Sequence, residues 1–222
     1  MSAADRPVTG PPPDAFHFGR NWQRYLDSYL DPERERTAAT SLRDLVGEVR
    51  DKSFLDIGSG SGLFSLSAYR QGAKRVTSFD VDPDSVAATR TLHERSGSPA
   101  NWKVLQGSVL DHDFVAGQEP ADVVYSWGVL HHTGDMYTAI ANAAGLTKVG
   151  GVFVIAIYNR VTGRFMNSER WLRVKRAYNR APRVAQRGME VGYATYWAAA
   201  RVLERRNPFR IAPTAVYLRA VR

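Results

Sequence analysis

From Lys52 onward, short apolar runs alternate with stretches of mixed character. SFLDI (53–57), RVTSFD (75–80), WKVLQ (102–106), DVVYS (122–126) and GVFVIAI (151–157) are largely apolar and of strand length, the pattern of strands buried on both faces. Between them the periodicity predicts helices over 63–70, 83–95 and 135–146, the second with Asp82 as N-cap and Pro83 at its first position. Strands separated by helices imply a mostly parallel, twisted sheet with helices on both faces. The connection over 112–120 is too short and polar to predict a helix.

The flanks read differently. Residues 1–18, with Pro7 and the run Pro11, Pro12 and Pro13, show no periodicity and are expected to be a flexible lead-in. Residues 19–50 read as an N-terminal helical cap. One helix is expected over 19–30 and a second opened by Asp31 as N-cap with Pro32 at its first position, turning Ala38, Leu42, Leu45 and Val46 inward. Residues 51–158 form the α/β core, and 159–222 a basic helical segment with helices at 171–178 and 191–203 and one weak strand candidate at 215–221.

Composition narrows the chemistry. The 222 residues suit one catalytic module, and 44% hydrophobic with 23% charged residues describes a chain able to build a packed core. The absence of cysteine excludes disulfides, thiolate metal sites, iron–sulfur clusters and a cysteine nucleophile. No apolar run approaches the roughly 20 residues of a membrane span, and the opening MSAADRPVTGPPPDA lacks the apolar stretch of a secretory signal, so a cytoplasmic location is expected. The net charge of +8 is concentrated at one end: 160–222 hold 15 Lys+Arg against 3 Asp+Glu, whereas 1–159 hold 15 against 19. A solvated basic face is the plainer reading; phosphate, anionic lipid or an acidic substrate are the alternatives.

The sharpest chemical signal is FLDIGSGSGLFSL, in which a strand carrying Asp56 runs into Gly58, Ser59, Gly60 and Gly62 before a helix. Residues without Cβ let a strand-to-helix turn adopt positive φ and bring backbone N–H groups against a ligand. A nicotinamide-dinucleotide turn would need glycine where Leu63 stands, and a phosphate-cradling turn would need a lysine after Gly62. Asp56 beside the turn suits a ligand with an ammonium group, as in S-adenosylmethionine, and repels a diphosphate. Asp80, at the end of the next strand and 22 residues after Gly58, is placed to accept both hydroxyls of a ribose, with Val81 beside it.

Taken in order, FLDIGSGSGLFSL, SFDVDP, QGSVLD, DVVYSWGVLHH and KVGGVFVIAIYN resemble the successive motifs of class I S-adenosylmethionine-dependent methyltransferases, over about residues 52–158. The first motif is specific in its context; the later ones are individually weak. FHFGRNWQRYL, SWGVLHHTGDM and AIYNR resemble, more narrowly, bacterial methyltransferases of small molecules. The resemblance implies a Rossmann-like α/β fold, S-adenosyl-L-methionine as methyl donor and S-adenosylhomocysteine as product. It further implies that Asp80 holds the ribose, that 107–109 with Ser108 and Val109 border adenine, and that the backbone of Ser126 and Trp127 borders the methionine moiety. Ser108 stands where many relatives carry an acid, which puts adenine selectivity in doubt. Folds of this class end in an antiparallel strand pair; with one candidate strand, the segment is either unusual or incomplete at Arg222. Trp22, with Phe16 and Phe18, is expected either as ordinary core or as an apolar lid over the donor, with Arg20 as a polar contact.

Methyl transfer needs alignment and exclusion of water, and a hydroxyl acceptor also benefits from a base. His132 in GVLHHTGD is the candidate base, and His131 is expected to support the loop; both also admit a structural reading. No second ligand stands at metal-binding spacing, so transfer is expected to be metal-independent. Tyr158 and Asn159 either line the acceptor pocket or end the strand. A small-molecule acceptor is favoured, an anionic one being suited to the arginines, with oxygen slightly ahead of nitrogen. A nucleic-acid methyltransferase is the alternative suggested by the arginines, although Ser126, Trp127, Gly128 and Val129 replace the N-P-P-Y-like tetrad of adenine amino-methylases. A donor-fold protein without catalysis, and peripheral membrane contact through the basic segment, complete the alternatives.

Overall fold

The computed structural model describes residues 19–28, 30–158, 167–203 and 218–221. The expected lead-in, Phe16, Phe18 and Asn159 lie outside the described residues, as does the side chain of Arg20. The described elements fall into two compact units, 1–157 with 217–222 and 158–216.

The first unit is built on a six-stranded sheet of β1 (Ser53–Ile57), β2 (Arg75–Asp80), β3 (Trp102–Gln106), β4 (Ala121–Trp127), β5 (Thr147–Ala156) and β6 (Leu218–Val221), in the order β3-β2-β1-β4-β5-β6. The first five are parallel and β6 runs antiparallel to β5, within the span of the strand candidate. Alternate residues supply two cores. Phe54, Val76, Trp102, Val123, Tyr125 and Val154 face one side, where Leu26 of α1 (Gly19–Ser28), Leu42 and Val46 of α2 (Pro32–Val46), Leu66 of α3 (Leu63–Arg70) and Leu92 of α4 (Pro83–Arg95) cover them. Leu55, Ile57, Phe79, Val124 and Phe153 face the other, against Phe114 of α5 (His112–Ala116) and Ala139 and Ala143 of α6 (Met136–Gly145).

Local chemistry explains the boundaries. The Asp31 and Asp82 side chains accept from the N–H groups of Arg34 and Asp84, with proline in the first turn of both α2 and α4. No helix was expected over 112–120, yet α5 forms there. The Asp111 carboxylate accepts from two of its first N–H groups, Asp113 and Phe114, which supports a turn too short to show a period. β5 starts four residues before the expected 151. Its pairing with β4 shifts register between Ala121 and Val123, and Gly150 at φ 76 carries the chain through the irregularity.

At the opening of β1, β4 and β5, Asp122 accepts from the Ser53 N–H (2.8 Å) and hydroxyl (2.6 Å) and from Lys148 Nζ (3.0 Å). Burial opposes ionisation of Asp122, but the hydrogen bonds from Ser53 and Lys148 outweigh it and hold the carboxyl below the ordinary carboxylate range. Asp122→Ala is therefore expected to lower stability by about 1–3 kcal/mol, mostly through the orphaned Ser53 donors, since partly exposed Lys148 adds little. Because the folded pKa is depressed, this contribution is fully present at neutral pH, begins to decline at about pH 4, where the unfolded carboxyl titrates, and is lost only as pH falls through the lowered folded pKa. Urea unfolding of both proteins at pH 7 and pH 3 checks it: the gap should narrow at the lower pH without closing.

The second unit contains α7 (Ser168–Arg180) and α8 (Arg183–Leu203), the latter eight residues longer at its start than expected. Tyr178 donates to Glu190, Gln186 Nε2 donates to the Tyr178 carbonyl (3.0 Å), and the Trp171 and Tyr193 rings lie 5.6 Å apart. Among the described residues no helix is long and apolar enough to cross a membrane.

Candidate active site

In the parallel sheet the connections from β1 and β4 leave in opposite directions, and the crevice beyond the carboxyl ends of these neighbours is where open α/β sheets bind ligands. The glycine-rich turn lies there. Gly58 N and Ser59 N both donate to the Phe79 carbonyl (2.8 and 3.1 Å), fastening the turn to β2, and Gly62 caps α3. Gly58, Gly60 and Gly62 all have positive φ, at 74, 54 and 78°. All three positions also lack room for a side chain: a Cβ on Gly58 would overlap Val129, one on Gly60 would lie 3.0 Å from Trp22 Nε1, and one on Gly62 would lie 2.9 Å from Thr89 Cα.

Asp80 joins the turn to the end of β2. Its Oδ2 accepts from the Gly60 N–H and its Oδ1 from the Asp82 N–H, both at 3.0 Å. Burial pushes this carboxyl up to about 6, against the pull of the Asp82 and Gly60 hydrogen bonds and with a further push from the Asp82 charge. Each oxygen keeps a second lone pair, so the carboxylate can still accept from two hydroxyls.

Asp56 is buried, and its Oδ2 accepts from the Ser65 hydroxyl of α3 at 2.5 Å. Burial raises its carboxyl to about 7, opposed by the Ser65 hydrogen bond and aided by the Asp80 charge. Sequence reasoning placed an acid beside the turn but not its partner.

The remaining expected site residues sit on the neighbouring loops. The Trp22 indole lies against Gly60, and its ring meets Tyr25 edge-on at 6.2 Å. Val81 is half-buried, and its carbonyl accepts from Gln106 Nε2 (3.4 Å). Ser108 Oγ accepts from the Leu110 N–H (3.1 Å), and the Val109 carbonyl accepts from Asn142 Nδ2 (2.8 Å), so these groups hold the loop after β3 in place. Ser126 Oγ donates to the Ile57 carbonyl (2.9 Å), tying β4 to the end of β1, and Trp127 stacks on Tyr125 at 5.9 Å.

His131 and His132 belong to a short 3-10 turn (Leu130–His132) after β4. His132 is exposed and His131 half-buried, with ring centroids 4.0 Å apart. Partial burial lowers the pKa of both, and His132 adds to the effect at His131, so neutral imidazoles are favoured. Tyr158, 75% exposed, is assigned to the second unit. One contributor had no signal in the sequence: Thr89 of α4, whose hydroxyl lies 2.9 Å from Ser59 Oγ and donates to the Gly60 carbonyl at 3.3 Å.

A turn with three positions free of Cβ atoms, an acidic residue with acceptor capacity to spare, and a second, buried acid on the neighbouring strand fit a ligand that combines a ribose with an amino acid. The fold and this crevice define a class I donor-binding core. Residues 55–155 match the family described as methyltransferase domain, and this core belongs to it. Among curated proteins, the chain is 36% identical over 108 residues to the ubiquinone biosynthesis O-methyltransferase of Paramagnetospirillum magneticum, a match covering 49% of this chain and 41% of the relative. It is 39% identical over 88 residues to the ribosomal protein L11 methyltransferase of Haemophilus influenzae, covering 39% and 27%. The chain thus matches only about half or less of the length of these relatives. A crystal structure of a putative S-adenosyl-L-methionine-dependent methyltransferase from Methanococcus maripaludis superposes with a TM-score of 0.54 at 19% identity, covering 67% of this chain and 68% of that one, a likeness of fold.

Proposed function

We propose that the chain transfers a methyl group from S-adenosylmethionine to a small-molecule acceptor, with an oxygen nucleophile favoured over nitrogen. The observation that carries the reading is the hydrogen bond from the Gly60 N–H to Asp80, which fixes turn and acid together in the crevice. Similarity to a relative named for O-methylation in ubiquinone biosynthesis supports the choice of a small molecule and of oxygen. A shorter match, to a relative named for a ribosomal protein, supports a donor core that does not by itself choose the acceptor.

When bound, the donor supplies a methyl group already activated on a sulfonium, so the chain has to align, keep out water and take a proton. In this reading Asp80 holds the ribose hydroxyls, with Val81 beside it, and Asp56 meets the ammonium group. Ser108 and Val109 border adenine, the backbone of Ser126 and Trp127 borders the methionine moiety, and Trp22 covers the turn. His132 accepts the proton of the acceptor hydroxyl. The reaction takes place in the cytoplasm.

We assign acceptor recognition to the second unit, and the arginines of α7 and α8 suit an anionic acceptor. Replacing 159–216 with a short Gly/Ser linker leaves β6 on the chain. Donor binding is expected to persist within a few-fold while methyl transfer disappears; equal loss of both would mean that the core depends on the second unit. The decisive assay incubates the full chain with labelled donor and small-molecule extract and identifies labelled products by mass spectrometry. Label appearing only in RNA or protein would overturn the reading.

A further inference from the structure

The Asp56–Ser65 pair of the site is the end of a longer buried polar chain. Trp102 Nε1 donates to Ser78 Oγ (2.9 Å), Ser78 Oγ donates to Ser65 Oγ (2.7 Å), and Ser65 Oγ donates to Asp56 Oδ2 (2.5 Å). The four side chains come from β3, β2, α3 and β1, and none is more than 3% exposed. Parallel register places Ser78 opposite Asp56 on the neighbouring strand, so both project from the same face of the sheet.

The direction of the chain is set by its far end. An indole N–H can only donate, so Ser78 accepts from Trp102 and has its proton left for Ser65, which in turn has its proton left for Asp56. In the reverse order, with a protonated Asp56 Oδ2 donating outward, Ser78 accepts from both Ser65 and Trp102 and its own proton loses the Ser65 acceptor. The inward order uses every proton of the chain, so it favours Oδ2 as an acceptor and directs a proton on Asp56 to Oδ1.

We propose that Trp102, acting through Ser78 and Ser65, is a positioning residue that reserves Oδ1 of Asp56 for the ammonium group of the donor and favours the charged carboxylate. The proposal rests on the reading that Asp56 meets that ammonium. The raised pKa of Asp56 places the balance near neutral pH, where such a bias has an effect. The other titratable groups facing it are Asp80 from the end of β2 and Tyr125, its register partner on β4; 63–68 of α3 carry no charge, and Arg90 of α4 is exposed.

Trp102→Phe keeps an aromatic ring while removing the donor, and Ser65→Ala and Ser78→Ala cut the chain at its other links. Carbon-13 NMR of the ligand-free protein reads the Asp56 carboxyl directly. Its titration midpoint is expected to rise, most in Ser65→Ala and least in Trp102→Phe, because polarisation fades along the chain. Calorimetry with S-adenosylhomocysteine should show several-fold weaker binding at pH 6.5 in Ser65→Ala and near-parental affinity at pH 8.5. Destabilised variants with an unchanged Asp56 midpoint would overturn the proposal, and Ser78→Ala provides the same readout if Trp102→Phe does not fold. Asp56→Asn separates the underlying reading: parental affinity there would remove Asp56 from donor binding while the carboxyl titration still judges the relay.

Discussion

Replacement of His132 by Ala is expected to lower turnover by about 100-fold, with affinity for S-adenosylhomocysteine nearly unchanged. The ring stands on the loop after β4, at the ligand end of the sheet, and is exposed enough to reach an acceptor. Its lowered pKa keeps the imidazole neutral, and so able to take a proton, to a lower pH than an ordinary histidine. Single-turnover rates with saturating donor separate a base from a scaffold. A loss of donor affinity as large as the loss of rate would show that the ring supports the loop instead.

Asp80→Ala is expected to raise the Kd for S-adenosylhomocysteine by about 10- to 100-fold, the loss of charge-assisted hydrogen bonds to the ribose partly made good by water. The structure adds a reason the sequence did not contain. The same carboxylate accepts from Gly60 and Asp82, so its removal also frees the turn that the ligand must approach. Asp80→Asn keeps acceptor capacity on one oxygen and should lose less. Calorimetry at pH 8, above the raised pKa, checks both variants, and parental affinity in Asp80→Ala would refute the ribose assignment.

What the sequence displays is contiguous chemistry. β1, β2, β3, α3 and α4 have the expected limits because apolar runs there end at glycine, aspartate or proline, which state their own backbone requirements. The turn and Asp80 were legible for the same reason. Gly150 stood outside the expected strand, whereas it lies within an irregular one, and Gly188 lies in the first turns of α8, ahead of the expected helix. α5 is too short to show a period. Trp102, Ser78, Ser65 and Asp56 lie on four different elements, and nothing about a serine in a strand reveals which helix will cross above it. Such contacts exist only once the sheet is assembled.

The path of the chain between β5 and β6 has an evolutionary consequence. Ile155 and Leu218 face each other in an antiparallel pair, so the chain departs along β5 and returns in β6 on neighbouring strands about 5 Å apart. A segment joined to its host through two adjacent strands is connected as a hairpin loop is, and its length costs the host little. Under the proposed reading, in which 158–216 recognise the acceptor, other segments exchanged at this junction would change the acceptor while the strand order of the donor core is kept.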